Sequence, residues 1–294
     1  MSDTLQTLRR RIDSAGDLQS VVRTMKALAA SSIGQYEKSV QALADYYRTV
    51  ELGLNACLRE YGPIPGFVAP SAPVSVPLVN VIVFGSDQGL VGQFNDVISD
   101  YVIKTLSALS EKAQVWVVGD RVHACLVDSR LEIAGSFSVP NSVQAIAPLV
   151  RQIQIESDGH RGQGEIAPLW VFHNKPLGGS RYEPVSQKLL NFDMLWQNEM
   201  TKAPWPTKNL PEVMDGTSTL NALMREYLFI SLFRACAESL ASENASRLAA
   251  MQRADKNIGE LLKHLHSSFH QLRQSGIDEE LFDVISGFEA LVAE

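Results

Sequence analysis

Two long stretches of the chain carry apolar residues at alternating steps of three and four, which is the spacing of a coiled-coil seam. The first seam begins at Leu5, ends at Cys57 and is interrupted by polar residues at Gln19 and Ser32. The second seam has one polar member, Asp255. Its apolar members are Leu248, Met251, Ile258, Leu262, Leu265, Phe269 and Leu272. The pattern predicts two long helices that pack against each other.

Proline is confined to the middle of the chain. All thirteen prolines lie between Pro63 and Pro211. Because proline breaks helix interiors, the proline-free segments 1–62 and 212–294 permit helices of roughly 85 and 110 Å. With a compact domain at 63–211, the simplest arrangement is an antiparallel two-helix coiled coil. An ordinary bundle of shorter, bent helices is the alternative.

The second seam changes phase near its end. After Ser275 and Gly276 it restarts one step late. The residues of this last segment, named the tip residues below, are Ile277, Leu281, Val284, Phe288 and Leu291. Such a slip predicts that the last turns pack differently from the rest of the helix.

The middle segment has the pattern of an α/β domain. Apolar runs that end at glycine or polar residues predict strands at 79–84, 113–118 and 169–173, with a possible fourth at 188–192. Helical spacing between them predicts helices at 96–109 and 141–155. The alternation predicts a small parallel sheet.

Composition excludes several classes. The formal net charge of −7 disfavours a nucleic-acid partner. The cysteines Cys57, Cys125 and Cys236 are far apart, so we expect reduced thiols. No stretch approaches eighteen uninterrupted apolar residues and no apolar signal core is present, so we expect a cytosolic protein with no membrane span.

A glycine-rich loop is the main candidate for a nucleotide site. The segment from Gly85 to Gly92 follows the first predicted strand and opens a helix, where backbone N–H groups attract phosphate. The glycine spacing is GxxxGxxG rather than the GxGxxG of dinucleotide-binding loops. In addition, the negative charge of Asp87 at the opening of the loop disfavours a phosphate there. A tight strand-to-helix turn is therefore the favoured interpretation.

Other candidate chemistry is sparse. His266 and His270 share a helix face, but His264 does not, which favours a solvated polar stripe over a metal site. Serine, cysteine and histidine residues are too scattered to form a nucleophile and its base. We therefore predict no catalytic residues, no cofactor and no metal.

Three motifs resemble a known family. The run from Glu238 to Met251, ESLASENASRLAAM, is similar to the signature that opens the long C-terminal helix of the gamma subunit of F-type ATP synthases. Thr24-Met25-Lys26 resembles that family's N-terminal methionine motif, and the run from Ser86 to Asn95 its S-D-x-G-L-C-G-x-x-N motif. The matches span nearly the whole chain in the family's order.

The resemblance implies a fold and a role. The fold is an antiparallel coiled coil of the two terminal helices with an inserted Rossmann-like α/β domain. The role is a central-stalk rotor that couples ion flow to ATP synthesis or hydrolysis. Its partners would be the alpha and beta subunits of the catalytic head, the epsilon subunit and the membrane c-ring. The complex would lie at the cytoplasmic face of a bacterial or archaeal plasma membrane.

The resemblance also implies surfaces. The tip residues would turn in an apolar collar of the head. The residues placed where family members transmit torque, named the torque residues below, are Met25, Lys26, Arg247, Arg273, Gln274 and Asp278.

The sequence departs from the family at some positions. Asp278 replaces the usual threonine and Val91 the usual cysteine. These departures indicate a divergent branch, such as the alternative, N-type F-ATPases. Two other functions stay open: a nucleotide-binding enzyme with helical arms, and a coiled-coil scaffold that does not rotate.

Overall fold

A computed structural model describes residues 4–61, 78–109, 112–129, 131–159, 169–189, 205–206, 209, 212–213 and 215–292. The chain divides into a helical unit, Met1–Ala29 with Leu248–Glu294, and an α/β unit, Ala30–Arg247. The helices are α1 (Leu5–Tyr61), α2 (Phe94–Ser107), α3 (Asp120–Val127), α4 (Val143–Gly159) and α5 (Gly216–Val292). The strands are β1 (Leu78–Phe84), β2 (Lys112–Val118), β3 (Glu132–Phe137), β4 (Leu169–Gly178) and β5 (Arg181–Lys188).

The two predicted long helices are present as α1, with 57 residues, and α5, with 77 residues. In the helical unit, their seam residues are buried against each other: Val22, Met251 and Ile258 form one cluster, and Met25 packs on it. Helix α5 continues through Ser275 and Gly276 without a break. The phase slip in the apolar pattern therefore leaves the helix intact.

In the α/β unit the same two helices pack antiparallel. Tyr46 of α1 donates a hydrogen bond to Glu226 of α5 over 3.0 Å, whereas Glu60 further along α1 accepts one from Val213 just before α5. Gly53 permits this close approach, because a Cβ there would lie 3.0 Å from a methyl group of Leu223.

The sheet is five-stranded, with the order β3-β2-β1-β4-β5. Strands β1 to β4 are parallel, and β5 is antiparallel to β4. The parallel part has the strand order of a Rossmann fold, which confirms the predicted fold class.

Both faces of the sheet are covered. On one face Val81, Val83 and their neighbours pack against α2 and α3. On the other, Ile82 and Phe84 pack against α4 and the middle of α5. Since successive strand residues point to opposite faces, an uninterrupted apolar run such as β1 requires helices on both sides.

Three elements of the α/β unit were missed or misplaced in the sequence prediction. Strand β3 and helix α3 were missed, because they are short and β3 contains Gly135, which packs against the ring of Trp116. The fourth strand was predicted at 188–192, but β5 lies at Arg181–Lys188, and residues 190–192 lie outside the described residues. Strand β5 contains Pro184. An edge strand tolerates proline, but proline in a segment argues against a strand, so the sequence pattern did not predict β5.

Candidate functional sites on the long helices and the glycine turn

The polar interruptions of the two seams meet in the helical unit. Asp255 of α5 accepts hydrogen bonds from Gln19 Nε2 and Arg23 Nε through Oδ1, each over 3.2 Å, and from Lys26 Nζ through Oδ2 over 2.8 Å. The hydrogen bond from Lys26 lowers the pKa of Asp255; partial burial opposes this, and Arg23 adds to it. The carboxylate therefore stays ionised and binds three side chains of α1. We name these four residues the Asp255 clasp.

Lys26 is thus the one torque residue that is held across the two helices of the helical unit, as far as the described contacts show. Met25, next to it, is half-buried on the cluster of Val22 and Met251. The other predicted torque residues of this unit, Arg273, Gln274 and Asp278, are exposed along α5.

Arg247 lies in the α/β unit and is largely buried. Its Nη2 donates to Glu243 Oε1 over 2.6 Å, one turn earlier on α5. Burial raises the pKa of Glu243, and the charge of Arg247 opposes that rise. Arg247 therefore neutralises a buried carboxyl group of its own helix.

Three tip residues are exposed: Ile277 by 54%, Leu281 by 56% and Val284 by 70%. The side chains of Phe288 and Leu291 lie outside the described residues. Phe282 and Ile285, which the heptad pattern did not select, are also exposed, by 69% and 45%. The end of α5 thus presents apolar side chains on more than one side.

The glycine-rich turn after β1 is closed by its own side chains. Asp87 accepts the backbone N–H of Asp120 at the start of α3 over 3.1 Å and that of Val139 after β3 over 2.9 Å. A phosphate at such a turn would use backbone N–H groups of this kind. Here the carboxylate of the turn itself accepts N–H groups from the start of α3 and from the segment after β3, which joins the carboxyl ends of three strands and places negative charge at the turn.

The rest of the turn is packed equally closely. Asn95 accepts the backbone N–H of Ser86 over 3.0 Å and donates to the Ser86 hydroxyl over 2.9 Å. A Cβ on Gly85 would lie 2.2 Å from Val122, and one on Gly119, where φ is +119°, 2.8 Å from the Ser86 backbone. The residues of the family-like motif therefore build a strand-to-helix turn.

A buried ionic cluster was missed by the sequence analysis. Glu238 of α5 lies 2.8 Å from His173 Nε2 of β4 and 2.8 Å from Arg234 Nε. Burial alone would raise the pKa of Glu238, but the hydrogen bonds from His173 and Arg234 hold it below its ordinary value. The signal in the sequence was weak, since Glu238 and His173 are 65 residues apart and only the sheet packing brings them together.

No three His, Cys, Asp or Glu side chains of the described ranges form a group that could hold a metal ion. Within those same ranges, the helices lack a segment long and apolar enough to cross a membrane.

Comparison with known proteins identifies the family. The chain is 23% identical over 287 residues to the ATP synthase gamma chain of Methylococcus capsulatus, covering 97% of this chain and 98% of that protein. It is 26% identical over 307 residues to the gamma chain of Nitrosomonas europaea, covering 97% and 98%. A sequence-family model described as ATP synthase matches residues 4–291. The chain belongs to the ATP synthase gamma chain family.

Solved structures with this gamma-chain fold are also similar. The rotor of the Euglena gracilis mitochondrial ATP synthase matches with a TM-score of 0.59 at 14% identity, covering 93% of this chain and 98% of that one. The central stalk of the Tetrahymena thermophila enzyme matches with a TM-score of 0.53 at 21% identity, covering 80% and 99%. At such identities the likeness shows the fold: two long helices with a central α/β sheet.

The turn makes a first prediction. Replacing Asp87 by Ala removes the acceptor of two backbone N–H groups, so we expect a loss of about 1–3 kcal/mol in the free energy of unfolding. Asp87→Asn keeps one acceptor oxygen and should fall between wild type and Asp87→Ala. Denaturant unfolding measures the loss, and amide hydrogen exchange at Val139 should accelerate in the same order. Asp128→Ala, at an exposed position, is the control and should change stability by less than about 0.5 kcal/mol. Unchanged exchange at Val139 would contradict the assigned contact.

The ionic cluster makes a second prediction. Because the pKa of Glu238 is lowered in the folded chain, its contribution is present above the ordinary value of 4.5 and is lost as the pH falls through the lowered value. We expect Glu238→Gln to lose about 1.5–3 kcal/mol at pH 7, since hydrogen bonds to a charged acceptor are replaced by weaker ones to an amide, while Arg234, which is 47% exposed, stays solvated. The difference from wild type should shrink below about pH 4.5.

Urea unfolding at several pH values between 3 and 7 measures this difference. The exposed Glu37→Gln, on α1, is the matched control at pH 7, where we expect a change of less than about 0.5 kcal/mol. A gap between wild type and Glu238→Gln that is the same at every pH would show that the carboxylate charge is not what stabilises the cluster.

Proposed function

We propose that this chain is the central rotor of an F-type ATP synthase and couples ion flow through the membrane ring to ATP synthesis or hydrolysis at the head. Family membership over residues 4–291 and the central-stalk fold support this role. Its partners are the alpha and beta subunits of the head, the epsilon subunit and the c-ring. It works as a peripheral subunit on the cytoplasmic face of the membrane, and catalysis belongs to the head.

The observation that carries the proposal is the exposed apolar end of α5. Five large apolar side chains between Ile277 and Ile285 are at least 45% exposed. Large apolar side chains exposed together in one short segment indicate a site that another molecule covers. An apolar collar fits a helix that must turn inside it, because apolar contacts have no preferred direction.

The rest of the chain divides by task. We assign residues 1–62 and 212–294 to the shaft and 63–211 to the inserted domain, which docks with epsilon and the c-ring. The packed seam of Val22, Met251 and Ile258 gives the shaft stiffness, since close-packed interiors resist deformation. Asymmetry of this shaft lets each angle hold the catalytic sites in different states.

The torque residues contact the head in this proposal. Lys26 and Arg273 supply positive charge, and Met25 and Gln274 supply neutral contact surface. Arg247 acts differently, because its guanidinium is already paired with Glu243. Asp278 adds a negative charge where the family usually has threonine.

The decisive experiment is reconstitution of the complex with and without this chain. Membrane vesicles that hold the complete complex should accumulate H+ or Na+ on ATP addition and synthesise ATP when a gradient of the same ion is imposed. Vesicles assembled without the chain should do neither. A bead attached to an introduced cysteine at exposed Asp128, in a chain with Cys125 replaced by Ser, should rotate on an immobilised head.

Two outcomes would overturn the rotor function. One is ion pumping at the full ratio to ATP hydrolysis in complexes that lack the chain. The other is a bead that stays still while the head hydrolyses ATP. The second outcome with normal assembly would support the non-rotating scaffold.

The tip makes a separate prediction. Leu281→Asp should change the stability of the isolated chain by about 0.7 kcal/mol or less, because Leu281 is 56% exposed there. In the assembled complex the same change places an unpaired carboxylate in an apolar collar, which costs several kcal/mol. We expect the rate of ATP-driven pumping to fall by at least about tenfold, since about 1.4 kcal/mol already corresponds to a factor of ten.

Glu279→Gln is the control for the tip variant. Residue 279 precedes Leu281 by two positions, about 200° around the helix. This variant should pump like wild type. If Leu281→Asp also pumps like wild type, the tip does not run in an apolar collar.

A further inference from the structure

We propose that Asp255 is a positioning residue for the torque surface: it fixes the register of α1 against α5 and holds Lys26 in the orientation that meets the head. The inference rests on the proposed rotor function and deepens it. Asp255 was the single polar interruption of the second seam, and neither the heptad pattern nor the family-like motif gave it a task.

Both oxygens of the carboxylate are used. Oδ1 accepts hydrogen bonds from Gln19 and Arg23, and Oδ2 accepts one from Lys26. The three donors are spaced by four and three residues, so they lie on one face of α1 over two turns. Three hydrogen bonds from two turns of α1 fix the carboxylate both along the α1 axis and in rotation about it. A single ion pair cannot do this.

The position of the clasp in the seam gives it control of register. Asp255 lies between Met251 and Ile258, and Gln19 lies between Ala15 and Val22, so each polar residue occupies a place where an apolar side chain would pack. A shift of one layer would bring the carboxylate opposite Ala15 or Val22 and away from the Gln19 amide, so that the three bonds could not all form. A polar layer of this kind specifies register at the expense of stability.

The clasp also sets the charge of the surface. Arg23 is 61% and Lys26 36% exposed, so both remain reachable by a partner, whereas Asp255 is 19% exposed. Two cations and one carboxylate leave a net charge of +1. Asp255 thus lowers the affinity of this surface for an acidic partner. It also fixes the position of the Lys26 ammonium group.

The test separates positioning from packing with Asp255→Leu. Leucine at a seam position restores an apolar layer, and replacing a buried ionic group by an apolar one often stabilises a protein. We expect Asp255→Leu to keep or raise the melting temperature of the chain. In the reconstituted complex we expect the number of ions pumped per ATP to fall at least threefold while ATP hydrolysis continues. Asp255→Glu, which keeps a carboxylate, should restore most of the coupling.

A second readout needs no complex. In the isolated full-length chain, the reaction of Lys26 with an acetylating reagent, followed by mass spectrometry, should be several times faster in Asp255→Asn than in wild type. Lys256, an exposed lysine on α5, is the internal control and should react at the same rate in both.

The outcomes are distinct. Wild-type coupling in Asp255→Leu, or equal labelling of Lys26 in wild type and Asp255→Asn, would overturn the proposal. If Asp255→Leu does not assemble, Lys26→Gln takes its place and should show the same loss of coupling; normal coupling there would also overturn it. If the wild-type chain itself restores no pumping, the rotor function fails, and the labelling result still decides whether Asp255 positions Lys26.

Discussion

The α/β unit depends on the burial of one stretch of α5. Between Ile230 and Ser246 every side chain is buried except that of Arg234. A helix buried on all sides must carry many small residues, because bulky ones would hold its neighbours apart. Alanine and serine fill much of this stretch, which lets the sheet, α4 and α1 approach it closely. Without this contact the part of the Ile82 and Phe84 face that α4 leaves uncovered would be open to water.

The polar residues in this stretch follow from the same burial. Glu238 is held by His173 and Arg234, Glu243 by Arg247, and the Ser246 hydroxyl donates to the carbonyl of Val91 in the glycine turn. Buried charges are tolerated only when they are paired. The two family-like motifs, one on α5 and one in the turn, therefore meet in space and secure the helix to the sheet.

The helical unit uses polar residues in another way. Its seam is thinner, and many side chains of α1 and α5 in this unit remain exposed. Here the Asp255 clasp adds specificity to a short apolar cluster around Val22 and Met251. In the proposed rotor, a defined register matters as well as stability, since a helix that slips along its partner would transmit less motion to the head.

The sequence by itself determined the two long helices, their seams and a parallel α/β insertion, because these follow from local periodicity and from where proline is absent. It also located Asp255, Gln19 and the glycine turn as irregular positions. Only the tertiary structure decided that Asp255 and Gln19 face each other, that Asp87 binds backbone N–H groups at the start of α3 and after β3, and that Glu238 reaches His173. Strand β5 could not be predicted from the sequence either. Proline such as Pro184 is acceptable in a strand at the edge of a sheet, and no local sequence pattern shows which strand is at the edge. Contacts between residues far apart in the chain depend on how the helices and strands pack, and the local periodicity of the sequence does not specify that packing.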